Sequence, residues 1–208
     1  MRQISLPFDR PPYAGSQATG DELLVSDANR IALRHLEGWQ AWPLAISVLT
    51  GPPLSGRSTL GRHFAAMSGG RVIDDAQGQA DEGLFHAWNE AQTARSPLLL
   101  IGDDPPAQWP VILPDLRSRL AAAPHVAIEQ PDEALALALI ERSLSAAGAS
   151  YAPDLPEWLL RRIERSYAAI AAVTHMLDEA ALSSGRKISI AMAKEALHAA
   201  GFLPILPD

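Results

Sequence analysis

Gly51-Pro52-Pro53-Leu54-Ser55-Gly56-Arg57-Ser58-Thr59 decides the reading of this chain. It follows the phosphate-loop pattern G-x-x-x-x-G-K-[ST] in every position but one, Arg57 standing where lysine is usual. The run before it, Leu44 to Thr50, reads as a short buried strand, and the run after it, Thr59 to Met67, as a helix. Strand, Gly-rich turn and helix are the context in which such a loop cradles a phosphate. Glycines let the backbone turn so that successive N–H groups and the helix N-terminus converge on an anion, and the Ser58 hydroxyl reaches a metal beside the phosphates. The candidate phosphate contacts are Gly51, Leu54, Ser55, Gly56, Arg57, Ser58 and Thr59. Pro52 and Pro53 have no N–H, so the donors come mainly from Leu54 onward. Arg57 keeps the charge but brings a bulkier planar fork, so binding survives better than hydrolysis. A ligand-free strand-to-helix turn is the plainer alternative.

With 208 residues, 48% of them hydrophobic, the chain suffices for one α/β domain and a small helical appendage. It has no cysteine, which excludes disulfides and thiolate metal sites and leaves a cytoplasmic protein as the expectation. No run approaches a membrane span or a signal-peptide core. A net charge of −7 disfavours direct DNA binding by a stand-alone domain, since such domains carry a basic excess. The six histidines are scattered without metal-ligand spacing and read as surface or helix-face residues.

Working outward from the loop, Val72-Ile73-Asp74-Asp75 looks like a buried strand delivering two carboxylates at its C-terminal edge, where open α/β sheets bind ligands. One acid there can hold Mg²⁺ and a second can orient a water, unless the pair merely enters an Asp-capped turn. Asp81 to Ala94 reads as a crossover helix. Leu98-Leu99-Leu100-Ile101 is the clearest strand, a continuous apolar run suited to a central position in a parallel sheet, with Asp103 just past its end. A helix over about Pro114–Ala122 carries Arg117 and Arg119, and His125 to Ile128 is the last strand. From Gln130 the pattern is purely helical, with segments at Ala134–Ala147 stopped by Gly148, from Asp154 and Pro156, at Ser166–Ser183 and at Ser189–Ala199. These boundaries imply an arm over 1–21, a core over 22–129, a helical lid over 130–201 and a tail over 202–208. Ser26 or Asp27 caps a helix ahead of the first strand. The arm's one patterned piece is Gln3-Ile4-Ser5-Leu6-Pro7-Phe8: a glutamine followed by apolar anchors suits an apolar groove on a partner, or pins the arm to its own domain.

The succession GPPLSGRST, VIDDAQ, LLLIGDDPP and LPDLRSRL, followed by a helical lid, resembles the AAA+ module of the bacterial replication initiator DnaA. More closely it resembles the DnaA-related regulators of the Hda type. Three features favour the regulator: the G-R-S form of the loop, the end of the chain after the lid, and QISLPF, which looks like the regulators' clamp-binding peptide (Gln3, Ile4, Leu6, Pro7, Phe8). The resemblance implies an AAA+ P-loop fold with ADP or ATP and Mg²⁺. Arg57 and Ser58 match the Walker A basic residue and metal-side hydroxyl, Asp74 the Walker B acid with Asp75 beside it, and Asp103 the sensor I residue. Arg119 matches the trans-acting arginine finger, and Ser26 to Asn29 the segment near the adenine. Two departures stand out. Ala168 occupies the place of the lid's sensor II arginine, so ATP loses more than ADP. The link between the loop helix and the Walker B strand is too short for the family's extra strand and crossover, so the core sheet is expected to have four strands.

The function these features imply is control of replication initiation: an ADP-binding protein docked on the DNA polymerase sliding clamp that offers Arg119 to ATP held by DnaA. A self-sufficient P-loop NTPase or kinase, and an interaction module without nucleotide, are the alternatives.

Overall fold

The computed structural model describes residues 2–5, 22–146 and 150–202. The strands are β1 (Arg2–Ser5), β2 (Glu22–Val25), β3 (Ile46–Thr50), β4 (Arg71–Ile73), β5 (Leu98–Gly102) and β6 (His125–Ala127). The helices are α1 (Asp27–Glu37), α2 (Arg57–Ser68), α3 (Asp81–Ala94), α4 (Pro114–Ala122), α5 (Glu133–Ala146), α6 (Leu155–Leu160), α7 (Tyr167–Ser184) and α8 (Ile190–Ala199). They fall into two compact units, Asp27–Gln130, and Pro131 onward together with the residues up to Ser26.

In the first unit a four-stranded parallel sheet runs in the order β4-β5-β3-β6. The two central strands, β3 and β5, are buried at every residue, which is why they read as unbroken apolar runs. On one face Ile46, Val48, Leu98 and Leu100 pack with Leu84 and Trp88 of α3 and Leu116 and Leu120 of α4. Against the other lies α2, whose Gly61 makes close approach possible: a Cβ there would come within 2.7 Å of Ile101 Cδ1. Gly69, in the left-handed region at φ 67°, ends α2, and β4 begins two residues later. No strand fits in that link, and the sheet has the four strands its shortness implies.

Strand β3 begins at Ile46 rather than Leu44, although the Ala45 carbonyl already accepts the Leu98 N–H at 2.8 Å. Helix α2 begins at Arg57 rather than Thr59, because Gly56 at φ 91° turns the loop straight into the first helical residue.

The second unit has a helical core of Ile140, Leu144, Leu155, Trp158, Leu159, Ile170, Val173, Leu177 and Leu197. Three of its helix starts are capped by side chains: Asp132 accepts from Leu135 N–H at 2.8 Å, and Ser166 and Ser189 accept from Ala169 and Met192, each at 3.2 Å, whereas Asp154 at the start of α6 makes no side-chain cap bond. Gly148, expected to stop α5, lies outside the described residues. Strands β1 and β2 form a two-stranded antiparallel pair, in which Gln3 stands opposite Leu24 and Ile4 opposite Leu23. The start of the arm expected over 1–21 is thus a paired strand at residues 2–5. Val25, expected in the core, is buried in the second unit, where β2 meets α5. The division between units therefore falls between Ser26 and Asp27. No described helix is long and apolar enough to cross a membrane.

Candidate functional site: the loop after β3

Register brings the candidates to one edge. Thr50, the last residue of β3, stands opposite Gly102 and Ala127, so the loop leaves the carboxyl end of a central strand. Its first residue, Gly51, lies against the residue that follows β6: a Cβ there would come within 2.9 Å of Ile128 Cβ. The Ser55 N–H donates to the Pro52 carbonyl at 3.2 Å, closing a turn in which Leu54 takes the left-handed conformation at φ 65° with its side chain exposed. The first bond of α2 runs from Leu60 N–H to the Gly56 carbonyl at 2.9 Å. The N–H groups from Gly56 to Thr59 thus precede any acceptor in their own helix, and a helix start of this kind favours an anion.

A second feature points the same way. Ser55 is only 6% exposed, and its hydroxyl oxygen is buried with no hydrogen-bond partner among the described residues. An unpaired buried hydroxyl costs about 1–3 kcal/mol unless a ligand satisfies it. The loop therefore fits a phosphate on its own geometry. Ser58 is exposed, and Thr59 accepts from Arg62 at 3.2 Å.

Arg57 does not lie idle in the loop. Its guanidinium donates to the Gly102 carbonyl at 2.5 Å and forms an ion pair with Asp103, so the side chain is only 15% exposed. Gly102 ends β5, the strand beside β3, and Asp103 follows it. Sequence alone places Arg57 and Asp103 at one edge; it does not disclose that they bind each other. From the turn after β4 comes a residue to which the motif reading gave no role: Gln77 Oε1 accepts the Asp103 N–H at 3.0 Å and the Asp104 N–H at 3.2 Å. Nothing short of the β4–β5 register marks it in the sequence.

Asp74 and Asp75 are both exposed just past β4. Asp74 accepts the N–H of Asp75 at 3.0 Å. Asp75 takes φ 49°, and its carboxylate folds back over Gly78, where a Cβ would come within 2.7 Å of Oδ2. In this arrangement the second acid closes its own turn. Among the described residues no group of three or more His, Cys, Asp or Glu could hold a metal. A Mg²⁺ at Ser58 and Asp74 would thus depend on nucleotide oxygens and water for most of its ligands.

Asn29 is buried in the first turn of α1, and the carbonyl of its neighbour Ala28 accepts the Glu129 N–H at 2.9 Å. That bond ties the start of α1 beside Ile128, which abuts Gly51. Arg119 is engaged within its own unit: it donates to Asn89 Oδ1 at 2.7 Å and Asp115 Oδ2 at 2.9 Å, and its guanidinium lies 4.6 Å above the Phe85 ring. Arg117 donates to the Val111 carbonyl at 3.1 Å. Of the arm's candidates, Gln3 and Ile4 lie in β1, and Leu6, Pro7 and Phe8 fall outside the described residues.

Two histidines, His35 on the face of α1 and the exposed His125 of β6, make side-chain hydrogen bonds. His35 Nε2 lies 2.7 Å from Ser47 Oγ, and His125 Nε2 lies 2.7 Å from Thr50 Oγ1. Ser47 donates its own proton to the Pro124 carbonyl at 3.0 Å, so it accepts from His35, whose Nε2 must carry hydrogen. Burial lowers the pKa of both imidazoles, and repulsion from His125 lowers that of His35 further.

No protein-family model matches the chain. Its fold is similar to that of domain III of the Thermotoga maritima replication initiation protein DnaA, with a TM-score of 0.71 at 13% identity over 85% of this chain and 94% of that one. It is similar to AMPPCP-bound DnaA from Aquifex aeolicus, with a TM-score of 0.57 at 17% identity, covering 74% of this chain and 63% of that one. The chain thus spans less than two thirds of the Aquifex structure. It is also similar to the Thermotoga maritima RuvB Holliday junction branch migration motor, with a TM-score of 0.61 at 15% identity over 83% and 68% of the two chains. The chain has the α/β fold that these proteins share.

Proposed function

We propose that this chain is a nucleotide-binding regulator of replication initiation. On this reading it holds ADP in the loop from Gly51 to Thr59, docks on the DNA polymerase sliding clamp through Gln3–Phe8, and promotes hydrolysis of ATP bound to DnaA. The observation that carries the nucleotide is the unpartnered, buried hydroxyl of Ser55 inside a loop that opens on a helix start. The fold likeness to DnaA, one of whose structures holds AMPPCP, supports the same ligand. Leu54, Ser55 and the N–H groups of Gly56 to Thr59 bind the phosphates, Asn29 lies toward the base, and Ser58 with Asp74 receives Mg²⁺. Bound nucleotide supplies the negative charge that the helix start and Mg²⁺ compensate.

Two features favour ADP and weigh against a self-sufficient NTPase: Arg57 is committed to Gly102 and Asp103, and Ala168 near the start of α7 offers no charge. The finger role falls to Arg119, whose donors exchange Asn89 and Asp115 for a partner's phosphate. The test pairs two variants. Clamp capture is expected to fail with Gln3→Ala and Leu6→Ala combined, and turnover of DnaA-bound ATP with Arg119→Ala; wild-type behaviour in both sinks the reading.

A further inference from the structure

Resting on the nucleotide reading above, we propose that Asp103 selects against a third phosphate by holding Arg57 out of use. Arg57 opens α2 and is the one cation within the phosphate-loop sequence. It lies 15% exposed, donating to the Gly102 carbonyl at 2.5 Å and paired with the Asp103 carboxylate. The acid is held from the other side as well, because Gln77 accepts the N–H groups of Asp103 and Asp104 at 3.0 and 3.2 Å. The pair is thus preorganised at both ends, and its negative member stands at the mouth of the loop, beside the carboxyl end of β3.

A diphosphate met by the N–H groups of the helix start and by Ser55 has no need of Arg57. A terminal phosphate seeking that guanidinium must displace the carboxylate and then lie against it, two like charges at close quarters. Asp103 therefore penalises the triphosphate twice, once by occupying the cation and once by repulsion.

The experiment is titration of ADP and ATP, at fixed Mg²⁺, into wild type, Asp103→Asn, Arg57→Gln and the double variant. Asparagine keeps the shape at a half-exposed position and removes the charge. The expected result is that Asp103→Asn shifts the ATP-to-ADP affinity ratio toward ATP by about tenfold, the worth of one charge-assisted contact. Arg57→Gln alone leaves the affinity for ADP nearly unchanged, and in the double variant the part of the gain for ATP that comes from freed Arg57 disappears, leaving only the relief of repulsion. If wild type binds ADP and Asp103→Asn leaves the ratio unchanged, the selection by Asp103 is wrong while the nucleotide reading stands. If no variant and no wild type binds either nucleotide, both are wrong. Should Asp103→Asn fail to fold, Asp103→Ser gives the same comparison.

Discussion

Gln77 Oε1 and the backbone N–H of Asp103 are joined at 3.0 Å, so the turn after β4 holds the end of β5 in place. A second bond from the same oxygen reaches the Asp104 N–H at 3.2 Å, and Trp109 Nε1 donates to the Asp104 carbonyl at 2.7 Å. The residue that pairs with Arg57 is therefore fixed by a side chain from a neighbouring strand end. Gln77→Ala removes the acceptor from two backbone donors at a partly wet site and is expected to cost about 1 kcal/mol of stability. Gln77→Glu, which keeps an acceptor, is expected to restore much of that stability. Denaturant melts of the three proteins check this.

Acid should destabilise the first unit through His35 and His125. Both imidazoles titrate below their ordinary 6.5 in the fold, so the folded state binds fewer protons than the unfolded chain as pH falls. Their contribution to stability is full above about pH 6.5 and is lost below it, down through the folded pKa values. Melting from pH 8 to 5.5 is expected to show this decline in wild type and a flatter profile in His35→Gln with His125→Gln. Identical profiles would remove the histidines from the account.

The loop helix is secured by its underside. Phe64 is fully buried in α2, and its ring stacks on Trp42 at 5.3 Å between centroids. Phe64→Ala is expected to cost about 3–5 kcal/mol, by lost transfer energy and the cavity left behind. Gly61→Val drives a branched side chain into Ile101 and Val72 and is expected to destabilise by about 1–3 kcal/mol. Urea denaturation measures both, and a neutral Gly61→Val would mean that α2 sits further from the sheet.

Arg119 makes three contacts yet is 31% exposed on its helix. Its replacement by alanine is expected to cost no more than about 1 kcal/mol of stability, since partly exposed ion pairs contribute little. A loss of DnaA-bound ATP turnover in Arg119→Ala then reports on the finger and not on unfolding. A large drop in melting temperature for this variant would undo that attribution.

The parallel sheet and the helical unit were legible because their signals are local. Leu98–Ile101 is apolar at every position since both faces are covered, and Gly56, Gly69 and Gly185 mark helix ends by supplying left-handed backbone. The shortness of Ser68–Arg71 likewise limits the sheet to four strands without any knowledge of contacts. What escaped depends on register and on partners distant in sequence. Ser47, the partner of His35, reaches Pro124 across 77 residues, and Gln77 reaches Asp103 across 26. The pairing of Arg2–Ser5 with Glu22–Val25 also escaped, because neither run alternates strongly enough to announce a strand. A motif shows which side chains share an edge; it does not show that Arg57 has already been claimed there.

The most direct measurement is calorimetric titration of ADP into the purified protein, with a parallel thermal melt. Occupation of the Gly51–Thr59 loop predicts a saturable heat and a melting temperature that rises with ADP concentration. Absence of heat together with an unchanged melting temperature at millimolar ADP would contradict it.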